Sequence, residues 1–152
     1  MSKEKEQSDP HTNTPAPSQK LWKIIWNLSV PPKIQNFMWR AAKNAIPIKT
    51  NLLKWQVLHE ANCDHCQSHS EDVLHALWLC PCLTEVWEAN IGWSFRNSDR
   101  WVKFQKLILH VEEVGLDLEL FSMIVWLLWQ RRNHIRVETS TISLSQIVTR
   151  AR

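Results

Sequence analysis

The chain has 152 residues, of which 44% are hydrophobic, and carries a formal net charge of +3. This length is enough for one domain with a real core and too short for two ordinary ones. The whole chain has two glycines, which argues against a fold rich in β-hairpins, since tight hairpin turns need residues that tolerate positive φ.

The N-terminal stretch is polar and lacks hydrophobic anchors, so residues 1–19 are predicted to form a disordered tail. It also lacks the apolar core of a signal peptide. The longest apolar run, "LELFSMIVWLLW", is about half the length of a membrane span. The sequence therefore predicts an intracellular protein, in the nucleus or the cytoplasm, that is neither secreted nor held in a membrane.

Apolar residues recur at helical spacing in the first half of the chain, without the alternation typical of strands. The stretch "LWKIIWNL" predicts a short helix that ends at "SVPPK", and a second helix begins at Pro32 and breaks at Pro47. Its apolar face is expected to hold these residues: Ile34, Phe37, Met38, Ala41 and Ala45. Thr50 is the expected N-cap of "NLLKWQVL", and Ser70 that of the helix after it. Pro81 suits the first position of a further helix.

The second half of the chain continues the helical pattern. One amphipathic helix is outlined by apolar residues at helical spacing: Trp101, Phe104, Leu107, Ile108 and Val111. Residues 118–137 predict the longest helix, apolar on all sides through Trp129 and therefore central. The predicted fold is all-α, a small helical domain over residues 20–138. A C-terminal tail over residues 139–152 follows, in which "ISLSQIV" is expected to form a short helix.

All four cysteines lie in the stretch "NCDHCQSHSEDVLHALWLCPC". Four of its residues follow the pattern C-x2-C-x8-H-x4-C: Cys63, Cys66, His75 and Cys80. Two cysteines separated by two residues fit a tight turn that points both thiolates at one ion, and a later histidine and cysteine complete a tetrahedron. The loop-helix segment is therefore predicted to hold one structural Zn²⁺ in a closed Cys3His site, with no position left for water.

Other interpretations of this stretch remain open at the level of sequence. Buried free cysteines are one alternative, and a dithiol redox pair is another, although such a pair normally follows a strand in a βαβ unit. Three other histidines are candidates in place of His75: His59, His65 and His69. Cys82 is a less suitable replacement for Cys80, because the helix that starts at Pro81 is expected to carry it away.

The segment "LWKIIWNLSVPPKIQNFMWRAAKNAIPIKTNLLKW", followed by the ligand pattern, resembles the reverse-transcriptase zinc-binding domain of plant non-LTR (LINE-type) retroelements. The resemblance rests on these residues: Trp22, Trp26, Val30, Pro31, Pro32, Lys33, Phe37, Trp39, Arg40, Pro47, Asn51, Leu52, Cys63, Cys66, His75, Cys80 and Trp87. The later "WLLWQRRNHIRVE" is similar to the family's helix before a ribonuclease H domain. The chain departs from the family pattern at Ile48, where a threonine is usual, and at Asp64-His65, where a proline is usual.

The resemblance implies a zinc module without the catalytic domains that accompany it in the family. A polymerase needs a set of carboxylates that holds two metal ions, and the chain has no motif that resembles one. We therefore expect a protein that is not an enzyme and has no small-molecule substrate. It is expected to be a retroelement fragment or a gene derived from one.

The charge distribution indicates a partner. Residues 20–59 contain seven Lys or Arg and no Asp or Glu, which favours an anionic partner, although a solvated face balanced by acids elsewhere is the alternative. The predicted nucleic-acid-binding residues are Lys33, Trp39, Arg40, Lys43, Lys49 and Lys54, because tryptophan stacks on bases while lysine and arginine hold phosphates. The expected partner is RNA or single-stranded DNA, bound weakly and without sequence specificity.

Two alternatives accompany this interpretation. The first is a structural or protein-interaction module, which packed against polymerase and ribonuclease H domains through exposed tryptophans, or a remnant of such a module without function. The second concerns "RRNHIR", another basic candidate, whose arginines are also explained by favourable placement at the end of a helix.

Overall fold

The computed structural model describes residues 17–88, Arg96, residues 103–136 and residues 143–152. The predicted tail before residue 17, the helical position of Trp101 and the predicted domain boundary after residue 138 lie outside the described residues. The described part of the chain is all-α and contains no strand, as predicted. Its elements in chain order are α1 (Pro17–Trp26), α2 (Pro32–Ala42), α3 (Lys49–Lys54), a π-helical turn (His75–Leu79), a 3₁₀ turn (Pro81–Leu83), α4 (Thr84–Glu88), α5 (Phe104–Glu113), α6 (Leu118–Arg136) and α7 (Leu144–Ala151).

Helix α6 is the centre of the core, as its apolar sequence predicts. Its buried side chains include Leu118, Phe121, Ile124, Val125, Leu128 and Trp129. The helix packs against α2, α5, α7 and the π-helical turn, so its apolar residues meet neighbours in several directions. Burying each such side chain contributes about 1.5–3 kcal/mol. Among the described helices, none is long and apolar enough to cross a membrane.

The two N-terminal helices lie against this core. Helix α1 begins at Pro17, three residues before the expected start of the domain, and packs on α2 and α5. The predicted buried face of α2 is present through Ala41, and Pro32 occupies its first turn. The helix ends at Ala42, because Asn44 adopts a left-handed φ of 54°. Ala45, predicted for the same apolar face, therefore lies beyond the helix and is exposed.

Both N-caps predicted from local sequence are wrong. Helix α3 already begins at Lys49, so Thr50 lies inside it. The backbone amide of Lys49 donates to Oε1 of Glu71 (3.2 Å), and the amide of Thr50 donates to the Glu71 carbonyl (3.1 Å). At the π-helical turn the first amide donates to Oδ1 of Asp72 (2.7 Å), so Asp72 and not Ser70 is the cap. In both cases a carboxylate satisfies amides that have no partner within the helix.

The short helix expected within residues 139–152 is present as α7. Three of its side chains are buried: Ile147, Val148 and Ala151. They face α4 and α6, against which the helix packs. This segment therefore belongs to the core of the domain.

Candidate metal centre

A short loop positions the first two cysteines. An antiparallel bridge (Asn62–Ser70) closes the loop, and the amide of Cys63 donates to the carbonyl of His69 (2.9 Å). Inside it, the amide of Gln67 donates to the Cys63 carbonyl (2.9 Å), and Gln67 takes a left-handed φ of 54°. This tight turn brings the side chain of Cys66 to the same side as that of Cys63. We call residues 62–70 the knuckle.

The π-helical turn positions the other two ligands. His75 is its first residue, and the amide of Cys80 donates to the His75 carbonyl (2.9 Å), a bond across five residues. The wider turn explains why the histidine and the cysteine are separated by four residues. At its end, the guanidinium of Arg96 donates to the carbonyls of Trp78 and Cys80, each at 2.8 Å. The end of the turn is therefore fixed by a side chain from a later segment.

The four predicted ligands converge. The Sγ atoms of Cys63 and Cys80 are 3.9 Å apart, and Sγ of Cys66 lies 3.3 Å from Nε2 of His75. All four ligand atoms lie within 4.8 Å of one another. Zn–S bonds of about 2.3 Å and Zn–N bonds of about 2.0–2.1 Å give tetrahedral edges of about 3.8 Å between sulfurs and about 3.6 Å from sulfur to nitrogen. The donor set and its spacing fit one zinc ion.

The alternative ligands are not members of the converging group. His69 is exposed at the rim of the site, with its Nδ1 atom 4.0 Å from Sγ of Cys66. His65 points to α6, where its Nε2 atom lies 3.3 Å from the guanidinium of Arg131. Two further candidates are exposed and are not members of the converging group: His59 and Cys82. The fold therefore selects His75 and Cys80, as their spacing predicts.

A buried ion pair supports one of the zinc ligands. Arg132 of α6 donates from Nη2 to Sγ of Cys63 (3.2 Å) and to the carboxylate of Glu71. Arg132 is 4% exposed and Glu71 is fully buried. Because three thiolates and Zn²⁺ carry a net charge of −1, the guanidinium balances the charge of the site. Glu71 also accepts from the amide of Lys49, so one carboxylate joins the metal centre to α3 and α6.

The surroundings favour the protonation states that zinc requires for His75 and Cys63. Burial, followed by the positive charge of Arg132, lowers the pKa of His75, which keeps its imidazole neutral. Burial raises the pKa of Cys63, but hydrogen bonds from the Cys66 backbone and from Arg132 outweigh it and lower that pKa overall. Burial raises the pKa of the Cys80 thiol, so its deprotonation depends on the metal, which deprotonates a coordinating thiol.

Sequence reasoning missed the three charged residues that support the ligands: Glu71, Arg96 and Arg132. Arg132 belongs to the basic stretch "RRNHIR", a candidate for contact with an anionic partner, but the structure buries it in the core. It is 69 positions away from Cys63, and no local spacing links the two. Glu71 directly follows Ser70, the residue expected as the N-cap, but its carboxylate contacts Lys49 of α3 and Arg132 of α6.

The predicted nucleic-acid-binding residues divide into two groups. Four of them are exposed on α2 and α3 or directly after α2: Lys33, Arg40, Lys43 and Lys54. Trp39 is half-buried, and Nζ of Lys43 lies 4.8 Å from the centre of its ring. Lys49 differs, because it is buried and its ammonium pairs with Asp64 of the knuckle at 2.5 Å. Lys49 therefore supports the metal centre and is not part of the exposed basic surface.

Comparison with known proteins identifies a family. Residues 7–87 match the family described as zinc-binding in reverse transcriptase, and this range is slightly more than half of the chain. It contains all four converging ligands. No curated protein and no solved structure matches the chain.

Proposed function

The chain belongs to the family of zinc-binding domains in reverse transcriptase, and on this basis we propose that it is a non-catalytic module that binds single-stranded nucleic acid. The binding is weak and independent of sequence, and zinc orders the knuckle and the π-helical turn. An origin in plant non-LTR retroelements is part of the same proposal. The observation that supports nucleic-acid binding is that α1, α2 and α3 expose basic side chains, and that Lys23 and Lys43 lie beside the rings of Trp22 and Trp39.

The charge of this surface supports the proposal. Six of the seven Lys and Arg in the acid-free segment 20–59 are exposed: Lys20, Lys23, Lys33, Arg40, Lys43 and Lys54. A folded segment directs its side chains several ways, so about three or four of them engage phosphates at once. Affinity at physiological salt is then about micromolar or weaker. The surface suits a backbone of repeating phosphates better than a single compact anion.

The metal centre supports a structural role for zinc. Four protein ligands complete a tetrahedron and leave no position for a water molecule activated by the metal. Thiolates bound to zinc are also poor partners for disulfide exchange, because the metal occupies the sulfur. We therefore assign to the zinc ion the task of ordering the knuckle and the π-helical turn, while contacts with nucleic acid come from the helices.

Fluorescence anisotropy with a labelled single-stranded RNA tests the proposal. Wild-type protein should bind at low ionic strength, and the logarithm of the association constant should fall against that of salt concentration with a slope of about −2 to −3. Lys43→Ala should weaken binding and make the slope shallower by about 0.7, the contribution of one phosphate contact. Lys106→Ala is the matched control, because Lys106 is exposed on α5, outside the acid-free segment. Binding that is absent, or insensitive to salt, would contradict the proposal.

A protein-interaction module is the second candidate, and a different surface favours it. Three large apolar side chains in and after the last turn of α3 are exposed: Leu53, Trp55 and Val57. Exposed apolar residues that lie close together are typical of sites that bind other proteins. Sedimentation analysis at several concentrations tests this candidate. Self-association that is lost in Trp55→Ala, in a protein that binds no RNA, would favour it over the first.

A further inference from the structure

A pocket of about 500 Å³ lies between α1 and the end of α2. It is an open groove at the surface and not an enclosed cavity. The residues described as lining it are Gln19, Trp22, Lys23, Trp39 and Lys43. Two tryptophans and two lysines therefore face one opening, and none of these lining residues is acidic.

The two rings have different roles in this pocket. Trp22 and Trp39 meet edge to face, with ring centres 4.9 Å apart and planes at 85°. Trp39 is half-buried, and the ammonium of Lys43 lies over its ring. Trp22 is 48% exposed, although it also contacts Trp26. Because Lys43 covers Trp39, the ring that offers surface to a ligand is Trp22, and Trp39 forms the wall beside it.

We propose that this pocket binds one unpaired nucleobase against Trp22, with the adjacent phosphate held by Lys23 and Lys43. The inference rests on the proposed function and assigns its stacking contact to Trp22, a residue outside the set predicted from sequence. A base stacked inside a duplex cannot present its face to a side chain, whereas an unpaired base can. The pocket therefore selects single strands and tolerates any base, since every base has a π-face.

The charges around α1 indicate the path of the bound strand over the surface. Lys23 also borders a second pocket, which it shares with Lys20 and two carboxylates, Glu112 and Glu119. Those carboxylates repel phosphate, whereas the pocket of Trp22 is bordered by Lys43 and lies at the end of α2 that also carries Arg40. A strand that places a base against Trp22 is therefore expected to continue along α2 toward Arg40. An acidic peptide is the competing occupant, but it would use the lysines and leave the exposed ring without a planar partner.

The test compares a short single-stranded oligonucleotide with an abasic strand of the same length, which keeps the phosphates and removes the bases. Wild-type protein should bind the strand with bases about fivefold more tightly or better, the lower end of one stacking contact. Trp22→Ala should erase this difference, while Trp22→Phe should keep most of it. Trp55→Ala is the matched control, because Trp55 is 50% exposed and Trp22 is 48% exposed. It should leave the difference unchanged.

The outcomes separate this inference from the function on which it rests. Salt-dependent binding in which Trp22→Ala and Trp55→Ala behave alike would refute the pocket and leave the proposed function intact. If the protein binds neither strand, both the pocket and the proposed function are refuted. If Trp22→Ala does not fold, the indole N–H resonance of Trp22 in wild-type protein decides, because it must shift on addition of the strand with bases. An acidic peptide that binds the pocket and is not displaced by the strand would also overturn the inference.

Discussion

Replacing Arg132 with methionine removes a buried charge that contacts both a zinc ligand and a buried carboxylate. Its guanidinium donates to Sγ of Cys63 (3.2 Å) and to Glu71. Methionine keeps much of the apolar length of the side chain, so the packing of α6 changes little. The substitution therefore tests the two polar contacts and leaves the shape of the core largely intact.

Two separate losses are expected. Removing one partner of a buried ion pair costs about 3–5 kcal/mol, because the other charge stays buried without compensation, and Glu71 is fully buried. The missing hydrogen bond to the ligand sulfur should lower zinc affinity roughly 10- to 100-fold, as is usual for outer-shell partners. The double variant Arg132→Met/Glu71→Gln should recover part of the stability, since no lone charge remains. It should not recover zinc affinity, since the bond to the thiolate is still absent.

Competition with a chromophoric chelator measures the loss of zinc affinity. Unfolding in guanidinium chloride at a fixed zinc concentration measures the total loss of stability, from which the part due to weaker zinc binding is subtracted to give the cost of the unpaired charge. Arg131→Met is the control, because Arg131 is the adjacent residue in α6 but points to His65. It should leave zinc affinity close to that of wild type. If Arg132→Met binds zinc as tightly as Arg131→Met, the contact with Cys63 has no role in holding the metal. If its unfolding free energy equals that of wild type, the reasoning on the buried pair is wrong.

Three further outcomes are expected. Cys63→Ser should lose zinc while Cys82→Ser keeps it, as elemental analysis of protein purified without chelators would show; the reverse result would contradict the ligand set. Acidification should release zinc, because protons compete for the imidazole of His75 and for three thiolates. Release should begin below the usual pH range of histidine protonation, because burial and the charge of Arg132 lower the pKa of His75. Zinc release, monitored with a chromophoric indicator, should depend steeply on pH. A gradual curve that fits the binding of a single proton would argue against this site. Chelation should speed hydrogen exchange in residues 60–88 and leave α6 protected, because that helix retains its own apolar core; uniform loss of protection would show that zinc holds the whole domain together.

The sequence by itself determined the features that depend on near neighbours. Cys63, Cys66, His75 and Cys80 lie within one short stretch, where a tight turn and a helical turn fix the distances between them, so their spacing predicts their convergence. The buried face of α2 and the central position of α6 also follow from the local recurrence of apolar residues. Periodicity alone therefore predicts which residues of a helix are buried, even when the element packed against it is unknown.

The tertiary structure decided which elements meet, and the polar contacts followed from that. The cap of α3 comes from Glu71, 22 positions after Lys49, whereas sequence alone favoured Thr50. Arg132 reaches Cys63 because α6 packs on the π-helical turn, and Lys49 pairs with Asp64 because α3 lies beside the knuckle. From sequence alone a charged side chain is predicted to be exposed, since burying a charge without a partner is unfavourable in free energy. Only the packing of distant segments supplies that partner.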